Sequence, residues 1–240
     1  MVSNDELYGG GMMFSKEWEN RFSQGKSQST FPWTDLIRYA NKFGKPRWGN
    51  KVLELGPGIG ANIPFFLGRG MDYYAIEGSE SAVRSILSRY PELEDKVIVG
   101  DFTQSLFFDG KFNMIVDRSS VTHNDTKSIQ NTLKLAAEKL EDDGRFIGID
   151  WFSWDHNERR TGKVKVDDPY TYVFDSGKFE ECGSVHFSTG EHIFKLFKDA
   201  GMMLEMLEHK TIHPSTIVRN KVSSTQEGEA TWNLSARRKL

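Results

Sequence analysis

Two hydropathy patterns alternate along the chain. Short runs dominated by apolar residues occur at Val52–Leu55, Asp72–Ile76, Val97–Val99, Phe112–Val116 and Arg145–Trp151, the length and composition of strands buried on both faces. Between them apolar residues return every three or four positions. One such stretch begins at Asn62-Ile63-Pro64; another runs from Ser79 to Arg89 with Ala82, Val83, Ile86 and Leu87 inward; a third runs from an N-cap at Asp125 to about Leu140. This alternation predicts repeated βα units and a doubly wound parallel sheet. Asp142-Asp143-Gly144 reads as the turn into the fifth strand. Farther on, Ser188-Thr189-Gly190-Glu191 reads as a capping box for a helix carrying Ile193, Phe194 and Phe197 and ending at Ala200-Gly201, with strands at Met202–Ile212 and Ala230–Arg238.

The ends of this array are different. Residues 1–12 are polar and then glycine-rich, and predict a mobile end. Phe14, Trp18 and Phe22 form one apolar stripe on a short helix, which either docks on the sheet or closes over a ligand. A second helix spans Trp33 to Phe43 and stops at Gly44. From Phe152 to Phe187 the chain is rich in charge and aromatics without a clear period, which predicts a substrate-side lid or insertion. One domain covering residues 1–240 follows, with a helical cap (1–50), a core (51–151), the lid (152–187) and a terminal helix and strands (188–240).

Charge narrows the partners. With 31 basic and 34 acidic residues the net charge is −3, and no basic run spans a face, which argues against a nucleic-acid partner. The single cysteine, Cys182, has no internal partner for a disulfide, the N-terminus lacks the apolar segment of a signal peptide, and no stretch has the roughly 20 apolar residues of a membrane span. A cytoplasmic protein without a membrane partner is expected.

The chemistry concentrates where the first strand ends, at Gly56-Pro57-Gly58-Ile59-Gly60-Ala61. Glycines suit a turn on which a ligand rests against the backbone. The same letters satisfy a dinucleotide fingerprint, so NAD competes. Glu54 opposes that reading, because a carboxylate beside the turn suits a cationic ligand better than a diphosphate, and Pro57 removes a backbone donor. Glu77, 21 residues after Gly56, lies where a carboxylate accepts ribose hydroxyls, followed by Gly78 and Ser79. Asp101, before Phe102 at the end of the third strand, is a third acidic residue at a strand end.

The run Val-Leu-Glu-Leu-Gly-Pro-Gly-Ile-Gly resembles the first motif of class I S-adenosylmethionine (SAM) dependent methyltransferases, and with the later motifs the resemblance extends from about Trp48 to the C-terminus. It implies a Rossmann-like, seven-stranded, mostly parallel sheet with helices on both faces and an antiparallel last strand. It also implies SAM as cofactor, S-adenosylhomocysteine as product, and a cofactor site drawn from Glu54, Gly56, Gly58, Gly60, Asn62, Glu77, Gly78, Ser79, Asp101, Phe102 and Asp117. In the family, residues after the fourth strand flank the methyl group, so Asp117, Arg118 and His123 are the catalytic candidates, with His123 as a base; no metal cluster accompanies them. A looser similarity to stand-alone methyltransferases of sugar and polysaccharide pathways points to an oxygen of a small polar acceptor. Methylation of a small-molecule nitrogen, an NAD-dependent oxidoreductase and a SAM-binding protein without turnover stay open as alternatives.

Overall fold

The computed structural model describes residues 16–213, 215–218, 221–224 and 228–239. Phe14, part of the predicted N-terminal stripe, lies outside them, as do residues 1–12. Five strands, β1 (Lys51–Leu55), β2 (Asp72–Glu77), β3 (Val97–Val99), β4 (Phe112–Arg118) and β5 (Leu140–Phe152), pair in parallel in the order β3-β2-β1-β4-β5. Side chains alternate between faces along each strand, so Val52 and Leu53 enter different cores. One core joins Leu53, Phe112 and Phe146 to Ile129, Leu133, Ile193 and Phe197; the other joins Val52, Tyr73 and Met114 to Leu36, Ile63, Phe66 and Ile86. At roughly 1.5–3 kcal/mol for each large apolar side chain fully buried, these two cores set the frame to which the site is attached.

The helices are α1 (Lys16–Ser23), α2 (Thr34–Tyr39), α3 (Ile63–Gly68), α4 (Glu80–Arg89), α5 (Thr126–Lys139) and α6 (Gly190–Asp199). Ser79 caps α4 by accepting from the Ala82 N–H at 3.1 Å, and Asp125 caps α5 by accepting from the Ser128 N–H at 2.9 Å. The predicted second helix is shorter than its apolar pattern, since α2 gives way to a π-helical turn at Ala40–Gly44. The cap of α6 is Thr189, one residue later than the predicted box, accepting from the His192 N–H at 3.1 Å. Asp142-Asp143-Gly144 does not precede β5 but lies within it, where the register with β4 jumps from Phe112↔Leu140 to Met114↔Arg145.

Residues 152–187 are not an open loop. β6 (Lys163–Lys165), β7 (Asp168–Val173) and β8 (Val185–His186) form a three-stranded sheet over a small core of Phe152, Tyr172, Phe174, Phe179, Val185 and Phe187. The main sheet closes with β9 (Met202–Ile212) and β12 (Glu229–Arg238); between them β10 (Ser215–Val218) pairs antiparallel with β11 (Lys221–Ser224). The last strand of the chain, β12, is antiparallel to both neighbours and lies between β5 and β9, giving the seven-stranded order β3-β2-β1-β4-β5-β12-β9. Among the described residues no helix is long and apolar enough to cross a membrane.

Candidate active site

The C-terminal ends of β1, β2, β4 and β5 open into one cavity of about 1110 Å³, roofed by α1 and by the three-stranded insertion. Such a crevice is where a doubly wound sheet binds its ligand. Its volume lies at the upper end of the roughly 300–1,000 Å³ range of ligand pockets.

Its floor is the turn after β1. Gly56 and Gly58 have φ of +63° and +58°, the left-handed region that glycine enters without strain. At Gly56 a Cβ would also strike Ser120, whose hydroxyl donates to the Gly56 carbonyl at 2.8 Å. Gly60 is set by packing. A Cβ there would meet Ile63 at 2.5 Å and Ile86 at 3.1 Å, so its bare backbone lets α3 approach α4, and it does not line the cavity.

The acidic residues divide between ligand and framework. Glu77 accepts the Gly58 N–H at 2.8 Å and the Ser79 N–H at 3.0 Å, which holds its carboxyl beside the glycine turn on the cavity wall. Burial pushes its pKa up to about 7, against the backbone donors and with help from Glu54. Glu54 lines the cavity with little exposure, and its two oxygens take the Asn62 amide and the Tyr73 hydroxyl, each at 2.7 Å; burial raises its pKa. Asn62 passes the link on, its carbonyl accepting the Trp33 N–H at 3.1 Å. Gly78 and Phe102 also line the cavity.

Four residues counted toward the site on sequence stand elsewhere. Besides Gly60, Ser79 is buried as the α4 cap and donates its hydroxyl to Glu19 at 2.5 Å. Asp101 lies off the cavity wall, one oxygen folded back on the Thr103 N–H and hydroxyl at 2.8 and 2.6 Å. Asp117 is the clearest departure. It is 0% exposed; one oxygen accepts the Ser120 and Val121 N–H groups at 3.0 Å each, and the other accepts the Trp151 indole N–H at 2.6 Å. Burial raises its pKa to about 7, and these bonds tie the loop after β4 to β5.

That loop delivers the catalytic candidates. Ser119 and Asp150 hold left-handed conformations, φ +61° and +55°, at the ends of adjacent strands, each costing about 1–2 kcal/mol for a residue with a Cβ. The Ser119 hydroxyl donates to the Asp150 carbonyl at 2.9 Å, and the Asp150 N–H donates to Asn233 at 3.0 Å, so hydrogen bonds maintain both. Arg118, turned into the cavity, lies 3.7 Å above the Trp33 ring and pairs with Asp150 at 3.1 Å. Lys210 from β9 reaches the same carboxylate at 3.0 Å and Asp35 at 2.7 Å.

His123 lines the cavity among aromatic rings, 4.8 Å from Trp18 and 5.5 Å from Phe152 between centroids. Its Nδ1 is buried without a hydrogen-bond partner among the described residues, and burial lowers its pKa to about 4. The imidazole is therefore neutral at physiological pH. Sequence reasoning left out residues that reach this cavity from remote elements, namely Trp33 and Asp35 at the start of α2, Asp150 on β5, Lys210 on β9 and Thr231 on β12, as well as His156 of the insertion. Their only signal was residue type. Among the described residues no group of three or more metal-ligating side chains converges.

A turn of glycines under a carboxylate at the end of β2, with an aromatic residue after β3, fits an adenosyl ligand that carries no phosphate. Comparison with known proteins agrees. Residues 27–208 match a family described as a methyltransferase domain. The structure is similar to a SAM-dependent methyltransferase from Methanosarcina mazei (TM-score 0.66, 15% identity, 88% of this chain and 99% of that one) and to the CcbJ methyltransferase from Streptomyces caelestis (TM-score 0.64, 12% identity, 95% and 99%). At these identities the likeness concerns the fold. Among curated proteins, ribosomal RNA small subunit methyltransferase A of Porphyromonas gingivalis is 43% identical over 51 residues, 21% of this chain, and the match spans only 20% of that relative. Because the family match crosses the glycine turn, the β2 carboxylate and the loop after β4 in one run on the expected sheet, this chain belongs to the class I SAM-dependent methyltransferases.

Proposed function

We propose that the chain methylates an oxygen of a small polar acceptor, a sugar or related metabolite, bound in the same cavity as SAM. The observation that carries this reading is the roofed cavity whose lining joins the glycine turn and Glu77 to His123, Arg118 and Lys210. SAM, when bound, supplies an electrophilic methyl group. Gly56, Gly58, Asn62, Glu77, Gly78 and Phe102 would hold it, with Glu77 accepting from the ribose hydroxyls. Methyl transfer needs an acceptor held in line at reacting distance, and the enclosed walls serve that positioning. An alcohol also has a proton to lose, and the unpartnered Nδ1 of His123 is the nitrogen available to take it.

The short likeness to an RNA methyltransferase favours a second reading, with a nucleic-acid acceptor. A net charge of −3 and a cavity roofed by α1 and the insertion favour the small molecule. Calorimetric titration with S-adenosylhomocysteine, SAM and NAD tests the cofactor half; binding of NAD alone would overturn it. For the acceptor half, compounds from the gene neighbourhood are screened for methylation beside a short RNA. With the acceptor found, His123→Ala should lower kcat by roughly 10²–10⁴ with SAM affinity kept, and remove an acid limb centred near pH 4.

A further inference from the structure

One part of the cavity has its charges already paired. Thr231 on β12 lies opposite Lys210 on β9 and Phe152 on β5, so the three form one row across adjacent strands. Lys210 is held by Asp35 at 2.7 Å and Asp150 at 3.0 Å, and Asp150 also takes Arg118. Two residues before Thr231 on the same strand, Glu229 pairs with Lys178 of the insertion at 2.5 Å. An anionic group entering here would have to break an existing ion pair to find a cation.

Hydrogen-bonding capacity is what remains uncompensated. The Thr231 hydroxyl is buried and has no partner among the described residues; neither does Nε2 of His156, whose side chain is only 1% exposed. The Glu158 N–H donates to His156 Nδ1 at 3.2 Å, so in the neutral ring the proton is on Nε2. Both side chains line the cavity. A buried donor without an acceptor is destabilising, a penalty that a ligand oxygen would remove.

We infer that His156 and Thr231, with the apolar face of Phe152 between strand and insertion, form the subsite for the non-reacting end of the acceptor, and that this end is a neutral group rich in hydroxyl or ether oxygens. The inference rests on the proposed methyl transfer to a small polar acceptor and names the chemistry that selects it. His156 Nε2–H donates to one ligand oxygen, and the Thr231 hydroxyl donates to or accepts from another. Carboxylated or phosphorylated analogues of the same ring are disfavoured, because the neighbouring cations are already engaged.

Saturation-transfer NMR on the full chain loaded with S-adenosylhomocysteine tests this with methyl α-D-glucopyranoside, methyl β-D-galactopyranoside and myo-inositol as neutral probes, D-glucuronate and glucose 6-phosphate as anionic ones, and catechol as a planar aromatic. At least one neutral polyol should bind, about tenfold better than the anionic probes. Thr231→Val and His156→Phe should each weaken it about tenfold or more, whereas Thr231→Ser and His156→Gln, which keep a donor, retain it. Thr231→Val should also melt no lower than the parent without ligand, since it removes an orphaned hydroxyl at constant shape. Saturation confined to the anionic probes or to catechol, no saturation from any neutral polyol, or polyol binding unchanged in both donor-less variants would overturn the inference. Failure of S-adenosylhomocysteine to bind would instead overturn the methyltransferase reading.

Discussion

At the scale of single residues, two buried carboxyls with pKa values near 7 carry opposite assignments. Glu77 faces the cavity, and binding ribose hydroxyls requires its ionised form, which accepts without donating. Affinity for S-adenosylhomocysteine should therefore rise with pH through about 7 and then level off, and Glu77→Gln should flatten that dependence. Glu77→Ala should weaken binding by about 1.5–3 kcal/mol, read by calorimetry; unchanged affinity would remove Glu77 from the site. Asp117 faces the framework. Its Asn variant keeps an acceptor for the Ser120 and Val121 N–H groups but presents an amide to the Trp151 indole N–H, and should lose about 1–3 kcal/mol of stability in denaturant titration. A large drop in turnover from that variant at unchanged stability would return Asp117 to the chemistry.

Among elements, α1 is the piece most ready to move. It buries no residue fully, and its ties to the insertion, Arg21 to the Glu180 carbonyl at 3.4 Å and, just past its end, Lys26–Glu181 at 2.9 Å, are exposed contacts that water screens. Its firmer anchor is Glu19, which accepts from the Ser79 and Ser81 hydroxyls and the Ser81 N–H at the start of α4, where a negative charge also suits the helix dipole. Trp18 and Phe22 hang from this helix into the cavity. Hydrogen exchange should show α1 gaining protection when S-adenosylhomocysteine binds, with a smaller gain in the insertion, which has its own core. Equal exchange with and without ligand would mean that α1 is a fixed wall.

For the whole molecule, buried ionisable groups set the response to acid. His123, His156 and His192 are depressed to about 4 and His186 to about 3, chiefly by burial, from 6.5 in an unfolded chain. The unfolded state then binds protons that the folded state refuses, so stability is lost as pH falls from about 6.5 through 4. Glu77 and Asp117, raised to about 7, act oppositely: their contribution is present at low pH and is lost as pH rises through 7. Glu54, also raised by burial, adds to the carboxyl side, but four histidines outweigh three carboxyls, so the ligand-free melting temperature should fall on going from pH 7 to pH 4. A flat or rising profile over that range would show that the imidazoles are hydrated.

The sheet and its helices were legible in the chain because they are local: runs of apolar residues at period two or buried on both faces, helical spacing between them, and caps such as Ser79 and Asp125 are all set by near neighbours. The cofactor floor was legible for the same reason, since a glycine turn and Glu77 belong to consecutive strand ends. Which carboxylates face the ligand was not. Asp117 and Glu77 both end strands, and only the packing of Trp151 from β5 against one, and the Gly58 N–H beside the other, separates framework from site. The rest of the cavity lining was further out of reach, because Asp35, Asp150, Lys210 and Thr231 come from elements up to about 200 residues apart and meet only after β12 inserts between β5 and β9. The aromatic stretch after β5 showed no strand period because its short strands bury their residues against one another in a small core of their own. Sequence patterning thus determined the glycine turn and the acidic strand ends, where the contacts are local, while tertiary structure decided which distant residues share the cavity, where burial and long-range strand order choose which polar atoms are left without partners.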